Sequence, residues 1–187
     1  PLKESENTDS PISFYAASKK TNEIMSYSYS YTHQLPITGL RLFTVYGPYG
    51  RPDMALEKFT RNIIGNKIIN IFNYGKNYRD FTYIDDVTES IKLLIKKPSK
   101  NKVPYQIFNV GNGKSINLMD YVNTISSTLE KNFKAKYIAR QKSDVVKTHS
   151  SIRKLQKKIN YSPKINIKMG IEKYIKWYKE YFKNDTK

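Results

Sequence analysis

Tyr15 and Lys19 stand four residues apart at the start of a helical pattern, in the run Phe14-Tyr15-Ala16-Ala17-Ser18-Lys19-Lys20. One helical turn puts both on the same face. A phenol titrates near ~10 in water, so holding it as an anion near neutral pH takes a shift of roughly three units, about 4 kcal/mol. A fixed ammonium ion nearby supplies much of that. The pair then reads as a tyrosine general base, suited to taking the proton of an alcohol while a hydride leaves the same carbon. In a chain with 16 Tyr and 33 Lys+Arg, an ordinary surface pair at this spacing is the competing reading.

The elements that follow decide where such a pair would sit. An amphipathic stretch to about Thr32 leads through Leu35-Pro36 into the apolar run Ile37 to Val45, which ends at Tyr46-Gly47-Pro48. This is a helix, a short link, a buried strand and a turn. Such a unit belongs to a doubly wound α/β fold, whose ligands lie at the carboxyl ends of the strands, so Thr44 to Pro48 is expected beside a cofactor crevice.

Three segments carry a family resemblance: Tyr15 to Lys20, the run from Gly39 through Gly47-Pro48-Tyr49-Gly50-Arg51-Pro52-Asp53-Met54-Ala55, and Tyr74-Gly-Lys-Asn-Tyr-Arg-Asp-Phe-Thr-Tyr-Ile-Asp-Asp-Val87. Together they resemble the NAD-dependent nucleotide-sugar epimerases of the extended short-chain dehydrogenase/reductase superfamily. Residues 51–55 look most like UDP-glucuronate 4-epimerase of the capsular polysaccharide type. The resemblance runs from about Pro11 to Phe182 and implies an α/β fold: the C-terminal part of a Rossmann-like domain plus a smaller substrate domain. Residues 1–50 are expected to close the NAD-binding domain. Residues 51–187 are expected to build mainly the nucleotide-sugar domain, interleaved with Rossmann elements.

The same resemblance implies a site. Tyr15 would take the proton of the sugar C4 hydroxyl while hydride moves to NAD, and Lys19 would lower the tyrosine pKa and hold the nicotinamide ribose. Val45 would line the nicotinamide side and Thr44 would contact the sugar. Asn70 and Phe72 would frame the uracil, Arg79 would bind the diphosphate and Asp144 the ribose hydroxyls. Arg51 would meet the sugar C6 carboxylate. The alternatives are local: Arg51 tied to Asp53, Arg79 bridged to Asp80, and Asp85 and Asp86 serving as a cap and a tie between substructures. His33 and His149 are isolated, so neither supports a triad, and no metal-ligand set accompanies the carboxylates.

Members of this family open with a Gly-x-x-Gly-x-x-Gly turn that seats the pyrophosphate. No such run occurs among the eight glycines here, and Gly111-Asn112-Gly113 lacks the third glycine. The expectation is therefore a truncated or split enzyme completed by a separately encoded N-terminal half. A non-catalytic remnant, a UDP-sugar or polyanion-binding module, and a related dehydratase or decarboxylase are the other readings. The C-terminal region departs from the family pattern at Gln141-Lys142-Ser143-Asp144-Val145 and at Thr148-His149-Ser150-Ser151, where helix capping comes into doubt.

Composition agrees with an enzyme of this kind. The chain has 187 residues, is 39% hydrophobic and contains no cysteine, which excludes disulfide scaffolds, zinc-cysteine sites and thiol nucleophiles. No apolar run approaches the ~20 residues of a membrane span, and the N-terminus is polar rather than a signal peptide, so the expected compartment is the cytoplasm. The net charge of +17 raises nucleic acid as a partner, but the lysines are spread along the chain and arginine is scarce, so none is expected. The expected partner is a UDP-sugar, with a homodimer as a possibility.

Periodicity predicts helices over 14–32, 53–65, 85–97, 117–131, 151–158 and 168–183, and strands over 37–45, 68–73, 80–84, 104–110 and 134–140. Asp53, Asp85 and Asn117 are expected N-caps. Residues 1–10 and 184–187 read as disordered. Tyr27, Tyr29 and Tyr31 are expected as core or dimer-contact side chains, and Trp177 as packing or a partner contact.

Overall fold

The computed structural model describes residues 1–140 and 144–183. Ser13 opens the first helix, α1 (Phe14–His33), by accepting the Ala16 amide at 3.1 Å. The apolar run after it is two strands, β1 (Ile37–Leu42) and β2 (Thr44–Tyr46), where the periodicity predicts one. The break lies at Phe43, because the stretch changes partner there. The Phe43 amide bonds the Val110 carbonyl at 3.1 Å, and the next amide, of Thr44, bonds the Asp80 carbonyl at 3.0 Å.

Helix α2 (Ala55–Ile64) leads to β3 (Ile69–Phe72) and a single 3-10 turn at Asn73–Gly75. The two-residue β4 (Tyr78–Arg79) is not predicted, and the expected strand over 80–84 is β5 (Phe81–Tyr83), followed by α3 (Ile84–Ile95). After β6 (Tyr105–Val110) and the two-residue β7 (Ile116–Asn117), too short to leave a periodic signal, come α4 (Leu118–Leu129), β8 (Ala135–Ile138), α5 (Arg153–Ile159) and α6 (Ile167–Tyr181). Strand pairs β1–β6, β2–β5 and β3–β8 are parallel, and β4–β7 is antiparallel. Parallel pairs linked by helices are the α/β architecture that the sequence implies.

Two apolar clusters hold these elements. One joins Tyr46, Phe59, Ile71, Phe81, Tyr121, Ile171 and Tyr174, with Phe81 stacked on Tyr121 at 4.0 Å. The other joins Val87, Leu94, Phe108, Val110, Leu155 and Ile159, with Leu40 and Val45 packed against it. Both draw on residues from either side of position 50. Arg41 fastens α1 to β1 by a two-pronged ion pair with Glu23, at 2.7 and 2.8 Å.

Several expectations need correction. Residues 1–10 are not loose throughout: the Leu2 amide donates to the His149 carbonyl at 2.7 Å, and the Glu4 carboxylate accepts the Asn109 amide at 2.9 Å. Asp53 and Asp85 cap nothing, since α2 and α3 start after Met54 and Tyr83 without a side-chain cap. Asp53 is drawn into an ion pair with Arg51, and Asp85 falls in the first turn of α3, near Lys173. Asn117 does cap α4, accepting the Met119 amide at 2.7 Å. Tyr27, Tyr29 and Tyr31 are exposed rather than core, as are Ile24 and Met25 on the same helix. Residues 184–187 lie outside the described residues. Among those described, no helix is long and apolar enough to cross a membrane.

Burial of tyrosines makes this core sensitive to alkali. Tyr83 is pushed up to about 12, first by burial and then by Asp85. Tyr46, Tyr121, Tyr161 and Tyr174 are also raised, chiefly by burial. Each keeps its proton in the folded state to a higher pH than in the unfolded state. The unfolded chain therefore releases protons first, and stability falls as pH rises from about 10 through the folded values. The urea midpoint is expected to drop between about pH 10 and 12, together with a cooperative tyrosinate absorbance step. A midpoint that stays level across that window would contradict this account.

Candidate active site

The junction between β4 and β5 is a buried carboxylate. Asp80 has no solvent exposure, and its oxygens accept the amides of Asn112 (2.7 Å), Gly113 (3.1 Å) and Ser150 (2.9 Å) and the Ser150 hydroxyl (2.5 Å). Its own amide donates to Thr148 Oγ1 at 3.0 Å, and its carbonyl accepts the Thr44 amide. A carboxylate is stable in the interior only with donors on its lone pairs, and here they come from two separate segments, the 112–113 turn and Ser150. Gly111 lacks a side chain for the same reason: a Cβ there would collide with Ser150 and crowd Asp80.

This hub sets the neighbouring candidates. Arg79 pairs with Asp144 at 2.5 Å and donates to the carbonyls of Tyr78 (3.0 Å) and Val146 (3.2 Å). Its expected alternative partner, Asp80, is fully engaged elsewhere. Asp144 also accepts from Asn77 Nδ2 at 2.9 Å, and Asn77 in turn accepts from Asn73 at 2.8 Å. Asn70 and Phe72 project from the exposed face of β3, directly before Asn73. Thr44, Arg79 and Asp144 are thus gathered around one polar network, with Asn70 and Phe72 leading into it.

Tyr15 and Lys19 form a separate group. Tyr15 is 72% exposed, and the Lys19 ammonium lies 5.2 Å from its ring centroid. Among the described residues no carboxylate lies within ion-pair distance of Lys19, and no hydrogen bond or ion pair links these two residues to the Arg79 network. Val45 is half-buried against the Val87 and Phe108 cluster. Arg51 pairs with Asp53 at 3.2 Å, which is the local tie. Asp86 is a tie between substructures, accepting the Tyr161 hydroxyl (2.5 Å) and the amides of Lys164 (2.9 Å) and Ile165 (3.1 Å). The His149 ring bonds the Gly113 carbonyl at 3.0 Å. Residues 141–143, part of the variant segment before Asp144, lie outside the described residues. The doubt over capping at 148–151 is met by an α5 that starts at Ile152 without a side-chain cap, while Thr148 and Ser150 serve Asp80 instead.

A dinucleotide fits these residues at one end only. Tyr15 and Lys19 offer a hydroxyl and an ammonium on an open face, suited to a nicotinamide ribose. The Gly111-Asn112-Gly113 turn directs its amides at Asp80, so they are not available to a pyrophosphate. A concavity of about 270 Å³ between α2 and α4, lined by Ile63, Lys67, Lys131 and Phe133, touches none of the candidates. Sequence reasoning missed Asp80 as a hub, Ser150 as its partner, Asn77 and the Arg41–Glu23 pair. All four depend on partners 18 to 70 residues away in the chain, which local patterns do not reveal.

Known proteins resemble the chain closely. Residues 1–111 match the Epimerase family model, the NAD dependent epimerase/dehydratase family. Protein CapI of Staphylococcus aureus is 43% identical over 197 residues, covering 98% of this chain and 59% of CapI. UDP-glucuronate 4-epimerase 1 of Arabidopsis thaliana is 38% identical over 201 residues, covering 100% of this chain and 47% of the plant protein. A tyrosine-to-phenylalanine mutant of UDP-glucuronic acid 4-epimerase from Bacillus cereus, solved with UDP-4-deoxy-4-fluoro-glucuronic acid and NAD, superposes with a TM-score of 0.88. It is 26% identical, over 96% of this chain and 56% of that one. The chain thus spans about half to three fifths of the length of these relatives.

Removing the hub carboxylate tests its role. Asp80→Ala removes the acceptor of three amides and a hydroxyl in the interior, of which the Gly113 amide keeps Ser150 Oγ at 3.2 Å, and is expected to cost roughly 3 kcal/mol or more of stability, read by urea denaturation. A loss under about 1 kcal/mol would show that the cradle closes without it.

Proposed function

The chain belongs to the NAD dependent epimerase/dehydratase family, and from that premise we propose that it carries the catalytic tyrosine and the nucleotide-sugar side of a UDP-glucuronate 4-epimerase. The observation that carries this reading is the Tyr15–Lys19 pair, side by side on an open face in the first turns of α1. The named similarity to UDP-glucuronate 4-epimerases supports the substrate. In this reading residues 1–50 close the dinucleotide-binding side and residues 51–187 build mainly the sugar-nucleotide side.

Bound NAD supplies reversible oxidation at the sugar C4. Tyr15, held as a phenolate by the Lys19 ammonium, takes the proton of the C4 hydroxyl to become a phenol and later returns it. The helix N-terminus beneath Tyr15 favours negative charge in the same place. Val45 lines the nicotinamide side, while Thr44 contacts the sugar from a backbone held by Asp80. Arg79 and Asp144 hold the diphosphate and ribose ends of UDP, so their mutual ion pair must open or be shared as the nucleotide enters. Asn70 and Phe72 frame the uracil, and Arg51 exchanges Asp53 for the C6 carboxylate of the sugar. The pyrophosphate of the cofactor needs a glycine-rich turn that these 187 residues do not contain, so activity requires one supplied with them, in a longer chain or by a second polypeptide.

The test is calorimetry and a C4-epimerisation assay, with this chain alone and with such a glycine-rich segment. Turnover is expected only with the segment. Tyr15→Phe should lower it on the order of a thousandfold while leaving UDP-glucuronate binding in place. A Tyr15→Phe protein that turns over within tenfold of the parent would remove Tyr15 from the mechanism.

A further inference from the structure

The turn that carries Arg51 is held from one side by α6. Tyr46, at the end of β2, sits against Gly170, where a Cβ would collide with its ring, and its hydroxyl reaches the Asn166 carbonyl at 3.5 Å. Three residues later Tyr49 adopts a φ of +57°, a region that side-chain-bearing residues seldom occupy. Its ring lies 5.0 Å from Trp177 and 5.8 Å from Tyr181, centroid to centroid, and Trp177 stacks on Tyr181 at 5.1 Å. The Trp177 Nε1 is buried with no hydrogen-bond partner among the described residues, so the indole contributes its ring rather than its donor.

A non-glycine residue in the left-handed region persists where its surroundings over-determine it. Tyr49 is 78% exposed, and the ring contacts it makes are with Trp177 and Tyr181 of α6. Arg51 follows two residues later and is itself exposed. Its recorded partners, Asp53 and Met54, lie in its own turn, where the Arg51 carbonyl accepts the Met54 amide at 3.1 Å. Nothing inside that turn fixes the guanidinium relative to the rest of the protein. Tyr49, two residues before Arg51, ties this turn to α6 through its contacts with Trp177 and Tyr181.

We propose that the Tyr49–Trp177 contact is a clamp that positions Arg51 and thereby makes the site selective for nucleotide sugars bearing a C6 carboxylate; this rests on the function proposed above. Trp177 is a positioning residue in this account and touches no substrate. A sugar lacking the carboxylate does not use Arg51 and is indifferent to the clamp.

Two measurements on Trp177→Ala and Trp177→Phe test this, in the protein together with its glycine-rich segment. The first is amide hydrogen exchange over residues 47–54. Exchange should quicken in Trp177→Ala and stay near the parent in Trp177→Phe, which keeps an aromatic face and omits the unpaired donor. Because Trp177 is the single tryptophan, Tyr49→Ala should in addition shift its emission to the red. The second is binding of UDP-glucuronate and UDP-glucose. Trp177→Ala should weaken UDP-glucuronate by roughly tenfold with UDP-glucose unchanged, and Trp177→Phe should restore the preference. Equal weakening of both sugars, or an unchanged preference with unchanged exchange, would overturn the clamp. A parent protein with no preference for UDP-glucuronate would overturn the functional reading, whereas the exchange and emission arms decide the clamp independently of it.

Discussion

The carboxylate of Asp80 is the constraint on which the site depends. It is withdrawn from water and compensated by amides and hydroxyls from the 111–113 turn and from Ser150, while its backbone joins β2 and the 148 segment. Each of these bonds is short-range and directional, so the segments cannot shift independently. Thr44 and Arg79 are one bond away from this residue. Their positions therefore follow from the satisfaction of a buried charge rather than from preferences of their own short strands.

The family's glycine-rich turn and the Gly111-Asn112-Gly113 turn illustrate how one local device serves different ends. Both present backbone amides in a tight glycine-bearing loop after a strand. In this chain the anion they receive is an internal carboxylate, and the loop becomes a structural clasp. What remains open to an external ligand is the Tyr15–Lys19 face, which α1 presents because Arg41 and Glu23 fix that helix on β1. Helix α6 plays the corresponding role for the turn that carries Arg51. Its buried stripe of Ile171, Tyr174, Ile175 and Tyr178 enters the core, and its aromatic edge supports the turn that carries Arg51.

Much of this was legible in the sequence. The helical period from Phe14, the apolar run from Ile37, the Asn117 cap and the stripe on the last helix are local signals, and the elements they predict are present. The Tyr15–Lys19 spacing is equally local, since one turn of helix brings the two together whatever else the chain does. The errors share a cause. Phe43 looks like the interior of a strand and Asp80 like the start of one, yet strand identity depends on which partner pairs at each residue, and both partners are distant in sequence. Asp53 and Asp85 look like caps, but a cap requires one particular residue to end the extended backbone, and that residue is Met54 at α2 and Tyr83 at α3.

The sequence by itself determined the α/β class, the family, the Tyr15–Lys19 pair and the order of the elements, because these rest on periodicity and on motifs contained within a few turns of chain. Only the tertiary structure decided that Asp80 is a buried hub, that Arg79 meets Asp144, that the 111–113 turn is occupied from within, and that Tyr49 leans on Trp177. Those outcomes are settled by the cost of leaving buried polar groups unpaired and rings unpacked, and that cost exists only once distant segments have been brought together.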